Sequence, residues 1–282
     1  MTVKLERQNL VCNRRRESVS MLAQLKLLNW NVRGLNDRAR HTVVRDLVFS
    51  SKCSILCVQE SKVGSLSISD RADIVGQALK GFAQLPATGT RGGVLIFWRD
   101  NMFHTTNIDV REFSVTITLV DQTTSHSWTL SSIYGPSEDH RKMNFLNELV
   151  DIHAHVTGPW MVIGDFNLIL HDHDKNKPGV NRSWMHRFKA DLDSSFLREI
   201  RLVGRRFTWS NEQADPTLER IDRAFFNSDW EDLYPASKLL PQASSMSDHC
   251  PLLLVQDLVI KSPTCFRFES FWPMMQGYRD VV

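Results

Sequence analysis

The 282-residue chain is 42% hydrophobic and 23% charged, enough to bury a core as one large α/β domain or two small ones. Its formal net charge of +2 permits nucleic-acid binding without demanding it, and no apolar run approaches the roughly 18 residues of a membrane span. The N-terminus has no apolar signal-peptide core, and five scattered cysteines (12, 53, 57, 250 and 265) read as reduced structural thiols of an intracellular protein, neither a disulfide framework nor a zinc site.

Residues 1–23 read as a loose basic leader. Arg14, Arg15 and Arg16 are a solvated charge run, a nuclear address or a phosphate contact. Order begins with a strand over Leu25–Trp30, left through Asn31 and Gly34. Asp37 then caps a helix over residues 38–50, with Val43, Val44, Leu47 and Val48 on its apolar face. A strand over 55–59 runs into Glu60, and another over 92–98 follows the Gly92-Gly93 turn. The segments 104–110, 114–121 and 127–134 read as an antiparallel meander ending at Tyr134-Gly135-Pro136. An amphipathic helix over 138–157 turns Phe145, Leu146, Leu149, Ile152 and Val156 inward. The central strand is Trp160-Met161-Val162-Ile163, broken by Gly164 and followed by Asp165 and Asn167, which share a face in extended geometry. A polar loop (171–182) leads to a helix near 184–197, short strands at 207–211 and 220–226, and a last buried strand at 251–255 behind Ser247-Asp248-His249. Residues 64–91 give no reading, and 257–282 little.

Polar groups therefore close or open six apolar segments: Asn31, Glu60, Tyr134, Asp165 with Asn167, Asp222, and Asp248 with His249. Each taken alone is an ordinary turn, ion pair or packing residue. Together they predict strand ends converging on one crevice at the edge of packed sheets.

The stretches NWNVRGL (29–35), QE (59–60), IYGP (133–136), IGDFN (163–167), FTWSN (207–211), RIDR (220–223) and SDHCPLLL (247–254) occur in the order of a known family. The chain resembles the endonuclease/exonuclease/phosphatase superfamily, and especially the apurinic-like endonuclease domain of plant LINE-type non-LTR retrotransposons. The resemblance covers about residues 25–255, within one domain expected over 24–256. It implies an α/β (α+β) sandwich of two packed mixed β-sheets flanked by helices, in a DNase I-like four-layer architecture. FRFESFW (266–272) resembles the segment after the endonuclease in such elements, which continue into a reverse transcriptase; 257–282 is expected to begin that segment, so the chain resembles a fragment or decaying copy.

The resemblance implies Mg²⁺, or Mn²⁺ in its place, and hydrolysis of a DNA phosphodiester, with no membrane and no obligate protein partner. Glu60 is expected to hold the metal with Asn31 beside it and Asp248 directly or one contact removed. Asp165 would deprotonate the attacking water, with Asn167 directing it. Asp222 would keep His249 charged for transition-state stabilisation. Tyr134 would touch the phosphate or assist the leaving group, and Thr208 matches a position near the phosphate. Two departures stand out. Arg33 occupies the place where repair-type apurinic endonucleases carry an acid, which favours the retroelement kind. Ser137 stands where many relatives have a phosphate-contacting asparagine, for which Asn176 and Asn181 are the available replacements. A phosphoesterase acting on a phosphoinositide, sphingomyelin or poly(A), and an inactive nucleic-acid-binding remnant, remain as alternatives. The nucleus is the expected location, ahead of the cytoplasm.

Overall fold

The structure is a computed structural model that describes residues 25–89 and 91–256. The expectations for the leader and for residues 257–282 lie outside the described residues. The chain runs β1 (Lys26–Asn31), α1 (Arg38–Ser51), β2 (Ile55–Gln59), α2 (Ile68–Val75), β3 (Gly81–Leu85) and β4 (Val94–Trp98). It continues through β5 (Phe103–Val110), β6 (Ser114–Asp121), β7 (Ser127–Tyr134), α3 (Asp139–His155) and β8 (Trp160–Asp165). After a 3₁₀ turn at Asp172–Asp174 come α4 (Arg182–Ser194), β9 (Arg198–Glu199), β10 (Trp209–Ser210), β11 (Leu218–Glu219) and β12 (Asp222–Phe226). The last elements are α5 (Ser228–Leu233), β13 (Ser237–Pro241) and β14 (Leu252–Gln256).

Two six-stranded sheets result, ordered β13-β14-β1-β2-β4-β3 and β5-β6-β7-β8-β12-β9, while β10 and β11 form a separate ribbon. Each sheet has one parallel pair at its centre, β1 with β2 and β7 with β8, flanked by antiparallel neighbours. The inner faces meet in a core that includes Leu27, Ile55, Cys57, Ile96, Ile117, Trp128, Leu130, Met161 and Ile163. Helices α1 and α2 cover the outer face of the first sheet, over Trp30, Leu56, Val58 and Phe97. Phe145, Leu146, Leu149 and Phe188 of α3 and α4 cover that of the second, over Trp160 and Val162. β4 and the run Trp160–Ile163 of β8 are continuously apolar because both of their faces are buried. This is the four-layer sandwich of two packed mixed sheets flanked by helices.

Local chemistry explains the elements. Asp37 accepts from Ala39 N and caps α1 as expected. Val43, expected to face inward, is 40% exposed, because the stripe over the sheet runs through Val44, Val48 and Ser51. The unread stretch 64–91 holds α2 and β3, and a capping box between Ser67 and Asp70 starts α2. The strand expected at 207–211 shortens to Trp209–Ser210, paired with two-residue β11 and bridged on its other side to His249. Free cysteines 53, 57 and 250 are buried, and burial pushes the Cys53 thiol up to about 11 and Cys57 up to about 12, which makes both inert. Among the described residues, no helix is long and apolar enough to cross a membrane.

Candidate active site

Topology carries the strand ends to one edge. The C-terminal ends of parallel β1 and β2 are level, with Asn31 opposite Gln59 and Glu60 one residue further. In the second sheet Tyr134, Asp165 and Asp222 stand in one row across β7, β8 and β12. Because β12 and β14 run antiparallel to their neighbours, the residues that open them, Asp222 and the Ser247-Asp248-His249 stretch, reach the same edge. Open sheets of this kind place ligand groups at such strand ends.

Asp165, His249 and Asp222 form the centre, all three almost wholly buried. His249 Nδ1 donates to both oxygens of Asp222, at 2.9 and 3.1 Å. Its Nε2 lies 3.9 Å from Asp165 Oδ2, too far for a hydrogen bond, so that N–H is left for another acceptor. Asp165 accepts from Asn31 Nδ2 at 2.9 Å, from the Asn167 backbone N–H at 2.9 Å and from Asn167 Nδ2 at 3.3 Å. Asn167 Nδ2 also donates to Gly135 O, tying the site to the turn after Tyr134.

Burial pulls the His249 imidazole down, but the charge and hydrogen bond of Asp222, with Asp165 and Asp248 behind, outweigh it and raise the group to about 9. Burial pushes the Asp165 carboxyl up to about 7; His249 opposes the rise and Asp222 adds to it. At neutral pH the imidazole is charged and the carboxyl is poised to exchange a proton. Burial, then the charges of Glu60 and Asp165 and a hydrogen bond to Glu60, hold the Tyr134 hydroxyl protonated well above its ordinary range. Tyr134 thus keeps its proton as a hydrogen-bond donor beside Glu60.

Glu60 and Asn167 are held in the left-handed backbone region, at φ 52° and 49°, as are Arg33 and Lys62 at 52° and 56°. Such strain is held only where the surroundings fix it, and it gathers at functional sites. For Glu60 the surroundings are the diglycine: Ser61 N and Lys62 N donate to Gly93 O and Gly92 O. A Cβ on Gly93, at φ +94°, would meet Ser61 Oγ at 2.3 Å, so only glycine lets this loop close. Gly164 fits for a similar reason, since a Cβ there would meet Ile133 O at 2.0 Å.

Ligand atoms of Asp165, Asp222 and His249 all lie within 4.8 Å of one another, close enough to hold a metal ion. Hydrogen bonding uses them otherwise, because a charged imidazole donates from both nitrogens and ligates from neither. Glu60, whose carboxylate lies 2.9 Å from Lys62 Nζ, and the Asn31 carboxamide oxygen, which accepts from Arg33 N, are oxygen donors of the kind a hard divalent ion takes, and could hold one.

Other expected residues have different jobs. Asp248 Oδ2 is taken by the Arg33 guanidinium and by Trp209 Nε1, with its side chain 4% exposed, so a metal ion there would compete with both. Thr208 is fully buried, and its hydroxyl accepts from Ile221 N and Asp222 N, so it sets Asp222 in place from beneath and cannot touch a phosphate. Asn176 clamps a loop through Pro216 O and Leu218 N, and Asn181 caps α4, so neither is free to replace a phosphate contact at Ser137. Ser137 itself is exposed and lines a cleft of about 690 Å³ with Glu60, Lys62, Arg91, Tyr134 and Arg141. The sequence reading missed Trp209, and Trp30, whose indole donates to His249 O at 3.0 Å. Trp209 lies inside FTWSN, but nothing in that motif names its acceptor.

Two packed mixed sheets bearing a carboxylate–imidazole–carboxylate cluster at their shared edge define the nuclease and phosphoesterase class of fold. The chain belongs to the Endonuclease/Exonuclease/phosphatase family, whose model matches residues 28–249. Among solved structures it is similar to the AP endonuclease LMAP from Leishmania major, at TM-score 0.64 and 15% identity over 83% of this chain and 87% of that one. It is similar to the 3′ phosphatase NExo from Neisseria, bound to a product DNA hairpin, at TM-score 0.64 and 17% identity over 83% and 99%. The endonuclease domain of TRAS1, a telomere-specific non-LTR retrotransposon, also gives a TM-score of 0.64, at 14% identity over 84% and 99%. At these identities the likeness shows the fold. No curated protein matches the chain by sequence.

Proposed function

We propose that the protein is a divalent-metal-dependent phosphodiester hydrolase that nicks DNA, and that it derives from a LINE-type retrotransposon. The observation that carries the chemistry is the pairing of a buried carboxyl raised to about 7 with a charged imidazole whose Nε2–H has no acceptor, 3.9 Å away. Asp165 takes a proton from water as that oxygen bonds to phosphorus; Asn31 and Asn167, each donating to it, orient its lone pairs. His249 Nε2–H donates to a non-bridging phosphate oxygen whose charge grows in the transition state. The Tyr134 hydroxyl donates toward the leaving oxygen as its bond to phosphorus breaks. Glu60 and Asn31 would hold Mg²⁺ or Mn²⁺, which supplies Lewis-acid polarisation of the phosphate.

For DNA as substrate, the support is exposed Arg91 and half-buried Arg141 along the cleft beside Tyr134 and Glu60, each within an ion pair (with Glu138 and Glu112) that a phosphate would exchange. Retroelement origin is supported by the ordered motifs and by Arg33 in place of an acid. An enzyme that nicks chromosomal DNA works in the nucleus. The test is nicking of supercoiled plasmid with Mg²⁺ and with EDTA, in wild type and Glu60→Gln. The variant is expected to fold normally and lose at least ~100-fold in rate at limiting Mg²⁺. Near-normal nicking by Glu60→Gln would place the metal elsewhere, and hydrolysis of a phosphoinositide or poly(A) in preference to plasmid would replace the substrate.

A further inference from the structure

Arg33 is where this chain departs from the repair enzymes, and the structure gives its side chain a defined partner. The residue sits in the left-handed region at φ 52°, just beyond β1. Its loop is fixed by Val32 N donating to Gln59 O, Leu35 N to Ser61 O, and the Arg40 guanidinium to Val32 O. From there the Arg33 guanidinium donates to Asp248 Oδ2, the same oxygen that accepts from Trp209 Nε1 at 2.9 Å. The Asp248 side chain is 4% exposed, and a carboxylate so buried needs a cation or several hydrogen bonds. A guanidinium is charged at every working pH, so the need is met permanently from within the chain. Asp248 adjoins His249, and Ser247 Oγ both donates to Asn31 O and accepts from His249 N. Arg33 and Ser247 thus fasten the loop that carries the imidazole to the exit of β1, while the Arg33 backbone N–H donates to Asn31 Oδ1 at 3.0 Å.

We propose that Arg33 is a built-in counter-ion, a positioning residue that occupies the Asp248 carboxylate and so confines divalent-cation binding to Glu60 and Asn31. Part of this rests on the metal placement given under Proposed function; the occupancy of Asp248 does not. A protein of this design binds one divalent ion through one carboxylate, and its His249 loop stays closed without metal. Replacing the side chain leaves the Asn31 contact intact, since that contact uses the backbone, and so isolates the guanidinium.

The experiment is Mn²⁺ binding by titration calorimetry to the whole chain in wild type, Glu60→Gln, Asp248→Asn, Arg33→Lys, Arg33→Ala and the Arg33→Ala/Asp248→Asn pair. The indole ¹⁵N resonance of Trp209, identified with Trp209→Phe, is followed during Mg²⁺ addition. Asp248→Asn is expected to bind Mn²⁺ as wild type does, and Arg33→Lys likewise. Arg33→Ala should gain Mn²⁺ affinity of ~10-fold or more, the size of change typical when a group next to a metal site is altered, and the gain should vanish in the double variant. Mg²⁺ should move the Trp209 indole signal in Arg33→Ala alone. The proposal is overturned if Arg33→Ala shows neither gain nor signal shift, or if Asp248→Asn weakens binding as Glu60→Gln does. The second outcome is read from Asp248→Asn even should Arg33→Ala fail to fold. Unchanged binding in Glu60→Gln would overturn the metal placement and leave the Arg33–Asp248 result standing.

Discussion

Replacing Asp222 with asparagine keeps the shape of the side chain beneath His249 and removes its charge. In the native site the imidazole stands at about 9 against 6.5 when free, although burial alone would depress it. At about 1.4 kcal/mol per pH unit, the difference corresponds to about 3 kcal/mol held in the charged form. The folded value lies above the unfolded one, so this stabilisation is complete below about pH 6.5 and disappears as pH rises through about 9. Without Asp222 the desolvation is opposed only by Asp165, 3.9 Å away, and by Asp248, itself paired with Arg33. The His249 titration should then fall by at least ~1 pH unit. NMR titration of the His249 ring, assigned with His249→Gln, measures the shift directly. Urea unfolding at pH 6.5 and 9.5 should show a smaller loss of stability in the variant than in wild type. The alkaline limb of any nicking activity should move down with the ring. An unchanged ring titration in Asp222→Asn would show that the 2.9 Å contact does not control the imidazole's charge.

Asp165→Asn should be inactive yet melt no lower than wild type at pH 8. The Asp165 value of about 7 lies above its unfolded one, so ionising it destabilises the fold progressively from about pH 4 to 7, and the amide avoids that cost. A clear drop in Tm would refute this. Thr208→Val leaves the buried Ile221 and Asp222 N–H groups without their acceptor and should cost ~1–3 kcal/mol, with kcat falling more than KM; an unchanged urea midpoint would remove the support assigned to this hydroxyl. Gly93→Ala must push Ser61 aside and displace Glu60, whereas Gly89→Ala, also at positive φ but with open space around it, carries only backbone strain of about 1 kcal/mol. Equal effects of the two on divalent-cation binding would refute the role given to the diglycine.

What is local is legible in the chain. Apolar period and capping chemistry set β1, β2, the β5–β7 meander, α1 from its Asp37 cap, α3 and β8, because a buried strand or an amphipathic helix imposes its period on a short window. It also showed that polar groups border the strands. Elements such as α2, β3, α5 and β13 escaped, since they bury few residues and so lack the apolar run or period that marks β1, β2 and β8. That the polar strand ends converge is expected from the sequence, but which ends meet, the exits of β1, β2, β7 and β8 with the entries of β12 and β14, is set by sheet pairing and not by any residue at the strand end. The same limit hid the partners. Arg33 and Asp248 are separated by 215 positions, and Thr208 lies beneath Asp222 across a turn, so their hydrogen bonds exist only once distant segments pack. Asn181 shows the converse: its side chain is spent on capping α4, a local duty that a motif search for phosphate contacts had no means to subtract.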